Sequence, residues 1–295
     1  MGQLVMTRSP KTREQGHSDH SILWNGFRLD FGRRTYIAGI LNCTPDSFSD
    51  GGLYLDPDKA VSRAIEIADE GADIIDIGGE STRPGSIPVS ADEEIRRVIP
   101  VIKRLKGRIS IPVSIDTTKA AVAREAIENG ASIVNDVTGL RGDDAMARVV
   151  AECCVPVVIM HMKGTPRTMQ DRPVYKDIVS EISSFFKGSI EIARRAGVDV
   201  EKIILDPGIG FGKTLEHNLK ILRSISSFRS IGRPIMIGVS RKSFLGQLIG
   251  SDVNDRLLAT ASSVAVAIAG GADIIRVHDV RQMREVTKVT DSICR

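Results

Sequence analysis

Two patterns of apolar and polar residues alternate along the chain from position 35 onward. Short runs are apolar almost throughout, which is typical of parallel strands that are buried on both faces. Longer stretches with the apolar spacing of helices separate these runs, for example at 60–70, 93–106, 119–129 and 255–269. Eight strands that alternate with helices predict either a (β/α)8 barrel or a doubly wound parallel sheet. The eight runs are TYIAGILN from 35, DIIDIGG from 73, IPVSIDT from 111, SIVNDV from 132, VPVVIMHM from 155, KIILDPG from 202, PIMIGVSR from 234 and IIRVHD from 274.

The junctions between helices and strands share one local pattern. A glycine ends the helix, alanine follows and an aliphatic strand begins, as in EGADIID from 70, NGASIVND from 129 and GGADIIR from 270. This repetition favours regular βα units of one α/β domain. No linker or break in composition divides the chain after residue 22, so we expect a single (β/α)8 TIM barrel over 22–295.

The first part of the chain is expected to differ from the barrel. Residues 1–21 lack an apolar core of signal-peptide length and are predicted to form a mobile tail. The Asn-Gly pair within WNGFRLDFG at 24–32 lies between β-prone residues and predicts a short hairpin that leads into the first barrel strand.

Charge and composition exclude several classes of partner. The formal net charge is +3, aromatic residues make up 4% of the chain and no run of lysine or arginine exceeds two residues, so we expect no nucleic acid partner. The longest uncharged apolar stretch, 257–272, has 16 residues, fewer than the roughly 18 that a membrane span needs, and predicts a buried helix. Four cysteines without a C-x-x-C pair favour a reduced, cytoplasmic protein.

Every predicted strand delivers a polar residue at its carboxyl end, where (β/α)8 barrels place their active sites. Structural roles remain open for several of them. Asp116 could cap a helix, Asn135 could be a satisfied buried amide, and Asp206 could initiate a turn. His161 could equally be a core histidine. The second strand ends in GGESTRPGS from 78, and the residues at the other strand ends are Asn42, Asp116, Asn135, Asp136, His161, Asp206, Ser240, Arg241, Lys242, Arg276 and His278.

Together these side chains indicate a particular kind of ligand. Carboxylates and an amide suit a planar heterocycle with paired N–H donors, such as a 2-aminopyrimidinone ring. Arginine, histidine and asparagine beside them suit a phosphate group and one Mg²⁺. The pattern therefore predicts an aminopyrimidinone-like ring that is joined to a phosphate ester.

The stretch LDPGIGFGKT at 205–214 looks at first like a phosphate-binding loop. A Walker A loop would need glycine at the position of Pro207, and a dinucleotide-binding loop would need glycine at the position of Lys213. The glycines instead predict a wide turn after the sixth barrel strand. Lys213 is then expected to be a surface lysine that binds no phosphate.

Eight stretches, in order and with barrel spacing, resemble the successive motifs of the dihydropteroate synthase family. The resemblance implies a (β/α)8 barrel and a transferase of folate biosynthesis. Such an enzyme joins 6-hydroxymethyl-7,8-dihydropterin pyrophosphate to p-aminobenzoate and releases pyrophosphate and 7,8-dihydropteroate. The stretches are GILNCTPDSFSDGG, DIGGESTRPG, SIDTTKAAVA, NDVTG, MHMKGTPRTMQ, DPGIGFGKT, GVSRKSFLG and RVHDV.

The resemblance also implies roles for individual residues. It places the pterin ring on Asp116, Asn135, Asp206 and Lys242. It places the pyrophosphate on Asn42, Arg276 and His278, with Mg²⁺ as cofactor on Asn42. The glycine turn at 208–212 would let Asp206 reach the pterin.

The second substrate and the reacting carbon involve further residues by the same resemblance. Thr82 and Arg83 would meet the substrates, Phe211 and Ser240 would line the p-aminobenzoate slot, and Asp46 would face the reacting carbon. A homodimer is implied by the family and by the helix of small residues at 257–271. The expected catalytic residues are Asp46, Asp116, Asp206, Arg276 and His278.

Two other functions remain to be weighed. A methyltransferase that uses a methylated folate would share a pterin-binding barrel, but it has no need of Arg276, of His278 or of the TPDSFSDGG loop from 44. A non-catalytic pterin-binding protein would not need intact substrate loops. Product formation in the presence of both substrates separates the three possibilities.

Overall fold

The structure is a computed structural model that describes residues 20–44, 56–81 and 85–295. Among the expected site residues, Asp46, Thr82 and Arg83 lie outside these ranges, as does nearly all of the predicted tail. The described strands, in chain order, are β1 (Ser21–Trp24), β2 (Phe27–Asp30), β3 (Tyr36–Asn42), β4 (Ile74–Gly78), β5 (Val113–Asp116), β6 (Ile133–Asp136), β7 (Val157–Met160), β8 (Ile203–Asp206), β9 (Met236–Ile237) and β10 (Ile274–Val277).

Strands β3 to β10 form one parallel sheet whose neighbours follow chain order, with β10 returning to β3. A bridge between Leu205 and Ile235 joins β8 to the segment that enters β9, and the Leu205 N–H donates to the carbonyl of Pro234 at 2.9 Å. A doubly wound sheet would instead reverse its strand order at a switch point. The predicted (β/α)8 barrel is therefore confirmed, and all eight apolar runs contribute a strand.

The helices of the described segments surround the barrel, and their starts follow local sequence. Asp56, Ser90 and Asp177 each accept hydrogen bonds from backbone N–H groups in the first turn of the helix that follows. The α-helices are α1 (Pro57–Asp69), α2 (Ala91–Leu105), α3 (Ala120–Glu128), α4 (Met146–Cys153), α5 (Ile178–Arg195), α6 (Leu215–Arg223), α7 (Ile225–Arg229), α8 (Ser243–Ile249), α9 (Leu257–Ala269) and α10 (Val280–Cys294).

The apolar stretch at 257–272 forms α9 and the turn after it, but only one face of that helix is buried. Thr260, Val264 and Ile268 are buried, whereas the side chain of Leu258 is 80% exposed. None of the helices in the described ranges combines the length and the apolar character that crossing a bilayer requires.

The predicted hairpin is confirmed and closes the amino-terminal end of the barrel. Asn25 and Gly26 both have positive φ, at 45° and 82°, as a tight hairpin turn between β1 and β2 requires. β1 begins at Ser21, so the last residue of the predicted tail belongs to the hairpin. A buried apolar cluster joins the hairpin to the barrel floor and contains Ile22, Trp24, Leu29, Phe31, Tyr36, Ala38, Ile74, Ile133, Val158, Ile204, Met236 and Ile274.

Candidate active site

Four barrel strands share one sequence pattern. Each carries an isoleucine of the buried cluster at the barrel floor and, two residues later, a polar side chain. Because side chains alternate between the two faces of a strand, that polar side chain also points into the barrel, one layer nearer the carboxyl end. Asp116 joins the layer, since it is in register with Asn135 on the next strand. The isoleucines are Ile74, Ile133, Ile204 and Ile274. The polar residues are Asp76, Asn135, Asp206 and Arg276.

Arg276 links two carboxylates within this layer. Its Nε donates to Oδ2 of Asp76 at 2.5 Å, and its Nη2 donates to Oδ2 of Asp116 at 2.7 Å. The same Asp76 oxygen accepts a hydrogen bond from Nδ2 of Asn135 at 3.0 Å. Burial by itself lowers the pKa of Arg276, but the charges of Asp76 and Asp116 outweigh it and raise that pKa. The guanidinium therefore remains charged at any physiological pH.

Three acceptor atoms of the layer lack a hydrogen-bond partner among the described residues. They are the second oxygens of Asp76 and Asp116 and the side-chain oxygen of Asn135, and all three are buried. Burial raises the pKa of Asp116, whereas the charge of Arg276 opposes that rise. Because buried polar atoms rarely remain unpaired, these oxygens indicate a site for a ligand with N–H donors.

Asp76 was not among the residues predicted for the site. The signal for it was present in the sequence, since an aspartate interrupts the apolar run DIIDIGG at its centre. A charged side chain within a strand that is buried on both faces needs a partner or a ligand. The partner, Arg276, lies far away in sequence, so the run alone could not identify it.

Asp206 ends β8 and begins the glycine-rich turn. Its Oδ1 accepts a hydrogen bond from the Gly208 N–H at 2.7 Å, and burial raises its pKa. Gly208 has φ of 69°, and a Cβ at this position would lie 2.0 Å from the carbonyl oxygen of His161. Only glycine allows this close approach to the end of β7. The glycine turn predicted from the sequence is therefore confirmed.

Lys242 and Phe211 meet next to Asp206. Nζ of Lys242 donates to the carbonyl of Ile209 at 2.6 Å and lies 4.1 Å from the centroid of the Phe211 ring. Burial lowers the pKa of Lys242 to about 8, although the carboxylate of Asp206 opposes this shift. The structure thus brings together one residue predicted for the pterin and one predicted for the p-aminobenzoate slot.

The prediction that Lys213 is a surface lysine is wrong. Its side chain is only 3% exposed, and its Nζ lies 3.0 Å from Nδ1 of His161 and 3.0 Å from the carbonyl of Phe211. The next residue, Thr214, caps α6 by accepting the N–H of His217. The Lys-Thr pair that looks like part of a phosphate-binding loop therefore has a structural role at both positions.

His161 is the core histidine that the sequence left as an alternative. Its ring packs on Phe185 of α5 at a centroid distance of 4.9 Å, so it faces the helical layer and not the barrel interior. Burial and the nearby charge of Lys213 lower its pKa to about 2. The imidazole is therefore neutral and has a structural role.

Ser240 and His278 lie side by side at the ends of the last two strands. Oγ of Ser240 lies 3.0 Å from Nδ1 of His278 and accepts the backbone N–H of His278 at 3.2 Å. Next to them, Arg241 adopts a left-handed backbone with φ of 58° and pairs with Asp279, to which its Nε donates at 3.1 Å. This ion pair joins the segment after β9 to the segment after β10. It fixes Arg241, which lies between Ser240 and Lys242 in the chain.

Asn42 at the end of β3 is suited to a hard cation. Its amide oxygen is a ligand that Mg²⁺ accepts, and Asn42 is the last residue of the strand and is only partly buried. Those residues contain no group of three or more His, Cys, Asp or Glu side chains that could hold a metal by themselves. The neighbouring Cys43 is fully buried, and burial raises the pKa of its thiol to about 12. Any Mg²⁺ held here would therefore take most of its ligands from substrate and water.

A largely buried ionic cluster lies beyond the carboxyl end of β4. Nζ of Lys119 donates to Glu80 at 2.6 Å and to Glu94 at 2.7 Å, and Glu80 also accepts the N–H of Val89 at 3.1 Å. Burial raises the pKa of Glu94, which has no exposed side-chain surface. Glu80 therefore joins the chain after β4 to Val89 and, through Lys119, to Glu94 of α2.

Comparison with known sequences gives one consistent result. The sequence signature of the family described as pterin binding enzyme matches residues 38–278. A curated relative, the dihydropteroate synthase of Synechocystis sp., is 47% identical over 268 residues, which are 90% of this chain and 93% of the relative.

Comparison with solved structures agrees with the sequence comparison. A Yersinia pestis dihydropteroate synthase in a sulfonamide drug complex has a TM-score of 0.88 and 41% identity, and the match covers 92% of this chain and 98% of the other. A Xanthomonas albilineans dihydropteroate synthase with 4-aminobenzoic acid has a TM-score of 0.87 and 39% identity, and the match covers 94% and 98%.

Proposed function

Because the chain belongs to the pterin-binding enzymes and, within them, to the dihydropteroate synthases, we propose that its inward polar layer binds the pterin of the first substrate. The enzyme condenses 6-hydroxymethyl-7,8-dihydropterin pyrophosphate with p-aminobenzoate to give 7,8-dihydropteroate and pyrophosphate. The relatives reported above are dihydropteroate synthases, which favours this function over the methyltransferase and the non-catalytic alternatives.

The observation that carries the assignment is the set of three buried oxygens without partners on Asp76, Asp116 and Asn135. Each would cost roughly 1–3 kcal/mol if it stayed desolvated and unpaired. A pterin ring carries several N–H groups along one edge and satisfies such acceptors. The carboxylate of Asp206 adds another acceptor, and the ammonium of Lys242 supplies a donor for a ring nitrogen or carbonyl.

The reaction breaks the bond between the pterin methylene carbon and pyrophosphate and forms a bond from that carbon to the arylamine nitrogen, which then loses a proton. Negative charge develops on the departing pyrophosphate, and positive charge develops on the ring. We assign Arg276 and His278 to the pyrophosphate, and Asp46, Asp116 and Asp206 to the positive ring. The arylamine attacks as a neutral amine, so no strong general base is required.

The ion pairs of Arg276 modify its expected role. Nε and Nη2 are held by Asp76 and Asp116, which leaves Nη1 without a hydrogen bond to any described residue. One nitrogen is therefore available to a phosphate oxygen, while the rest of the guanidinium compensates two buried carboxylates. Arg276 thereby connects the pterin floor with the leaving group.

Mg²⁺ is proposed as the cofactor, with Asn42 as its protein ligand. A cation that takes one amide oxygen, water and phosphate oxygens fits the residues at the end of β3. When bound, it would neutralise part of the charge on the pyrophosphate.

The second substrate is proposed to lie between the Phe211 ring, Lys242 and Ser240. Thr82 and Arg83, which lie outside the described residues, are also proposed to meet the substrates. The solved Xanthomonas albilineans relative was determined with 4-aminobenzoic acid, which supports a slot of this kind. The Lys242 ammonium beside the Phe211 ring offers both a flat apolar surface and a positive charge to an aromatic carboxylate.

We propose that the enzyme is a homodimer formed through α9 and α10. These helices pack against each other, and their outer face exposes Leu258 at 80%, Val266 at 53%, Val289 at 61% and Ile293 at 78%. Large exposed apolar side chains on two neighbouring helices are typical of subunit interfaces.

We propose a cytoplasmic location. All four cysteines are free thiols, and exposed Cys154 in particular supports a reducing compartment.

The experiment that tests the function is release of pyrophosphate by the purified chain with Mg²⁺ and the pterin pyrophosphate. We expect release to require p-aminobenzoate and to match the 7,8-dihydropteroate formed. Pterin binding without turnover would indicate a non-catalytic protein, and methyl transfer from a methylated folate would indicate the methyltransferase.

A further inference from the structure

Lys213 is a buried charged side chain next to the proposed site for which the reaction provides no role. Its Nζ has three acceptors within hydrogen-bond distance, namely Nδ1 of His161 at 3.0 Å, the carbonyl of His161 at 3.3 Å and the carbonyl of Phe211 at 3.0 Å. An ammonium has three N–H donors, so it satisfies all three acceptors at once, whereas a neutral amine has only two donors.

The protonation states of the two side chains are compatible with this arrangement. Burial lowers the pKa of Lys213 well below its usual value, the charge of Lys242 adds to that shift, and the carboxylate of Asp206 opposes it. Only the ammonium satisfies all three acceptors around Nζ, so we take the ammonium as the form that these contacts hold. The neutral imidazole of His161 then accepts through Nδ1, which leaves its single N–H on Nε2. With all its donors directed at protein atoms, Lys213 has none left for a phosphate.

The contacts of Lys213 join two loops of the site. The turn 207–212 lies against the segment that follows β7, because Cβ atoms on Gly208 and Gly212 would come within 2.0 Å of the His161 carbonyl and 2.3 Å of the Lys163 carbonyl. The His161 N–H also donates to the carbonyl of Asp206 at 2.9 Å. Lys213 therefore attaches the far end of the turn, at Phe211, to a backbone segment that is already paired with β8.

We propose that Lys213 is a positioning residue whose buried ammonium sets the place of the Phe211 ring in the second-substrate slot. The proposal rests on the slot proposed above. Asp206 has independent support from the Gly208 N–H and from the pairing of β8, whereas the Phe211 carbonyl depends on Lys213 directly. Loss of the ammonium should therefore affect p-aminobenzoate more than the pterin.

The test compares Lys213→Met with wild type and with Lys220→Met. Lys220 is a matched control, because it is a lysine of the neighbouring helix α6 whose side chain is 52% exposed and pairs with Asp177. For Lys213→Met we expect KM for p-aminobenzoate to rise about tenfold and KM for the pterin pyrophosphate to change less than about threefold, since one slot wall moves while the floor keeps its geometry. Lys220→Met should match wild type in both.

A double-mutant cycle with Phe211→Ala separates positioning from a general structural role. If Lys213 acts through Phe211, Lys213→Met should change KM for p-aminobenzoate little further once the ring is gone. Equal rises in both KM values, or additive effects in the cycle, would overturn the proposal, as would unchanged kinetics in a folded Lys213→Met protein.

A second variant covers the case in which Lys213→Met does not fold. Lys213→Gln retains two N–H donors and should show a smaller but equally selective rise in KM for p-aminobenzoate. If neither variant folds at the assay temperature, Lys213 serves stability alone and the proposal fails. Wild type is measured in the same assay, so an absence of 7,8-dihydropteroate there would instead contradict the proposed function.

Discussion

Arg276 on β10 lies 2.5 Å from Asp76 on β4, although β3 separates their two strands. The residue of β3 in register with Arg276 is Ala38, whose small side chain belongs to the barrel floor. Ala38 leaves room for the guanidinium to cross to the far strand. The pair places one positive charge among the carboxylates that are proposed to bind the pterin.

Removal of this positive charge should destabilise the barrel. Arg276→Met leaves the carboxylates of Asp76 and Asp116 buried and uncompensated, so we expect the free energy of unfolding in urea to fall by about 3–5 kcal/mol. Arg104→Met is the control, because its pair with Asp58 is at the surface, and it should cause no measurable change. Equal stability of wild type and Arg276→Met would show that the two carboxylates are not ionised together.

Asp206→Asn should weaken binding of the pterin. The substitution replaces one acceptor oxygen with an N–H donor that faces the N–H groups of the ring, and loss of a charged hydrogen bond costs roughly 1.5–3 kcal/mol. Pterin affinity measured by calorimetry should fall at least about tenfold. Unchanged affinity in a variant that melts like wild type would remove Asp206 from the site.

The alkaline limb of the pH profile should report Lys242. Burial lowers the pKa of Lys242 to about 8, and a lysine carries its charge only below its pKa. If the ammonium binds substrate, kcat/KM should therefore decline as pH rises through about 8. Lys242→Met should have lower activity and lack this limb, whereas a limb that persists unchanged in the variant would assign it to another group.

Deletion of residues 1–19 should leave activity and melting temperature nearly unchanged, because this segment has no apolar periodicity. Deletion of residues 1–31 should lower the melting temperature strongly, since it removes Ile22, Trp24, Leu29 and Phe31 from the floor of the barrel. Differential scanning calorimetry on both truncations is the measurement. A large loss on the shorter deletion would show that the first residues belong to the folded domain or to its assembly.

The architecture and the enzyme family could be predicted from the sequence. Apolar runs at regular intervals identified the barrel, because a strand buried on both faces allows almost no polar residue before its end. The Asn-Gly pair identified the hairpin, since both residues tolerate positive φ. Family motifs then assigned roles to residues at strand ends, and the structure brings Asp116, Asn135, Asp206 and Lys242 into one region of the barrel, as expected.

Only the tertiary structure decided which polar side chains have protein partners. The alternation of a strand is local, but the face on which His161 lies and the burial of Lys213 depend on acceptors that other segments supply. The same holds for Asp76, whose charge is compensated by a residue that lies across the barrel. A buried charge is stable only where nonlocal packing provides its counter-charge or its hydrogen bonds, and no pattern along the chain contains that information.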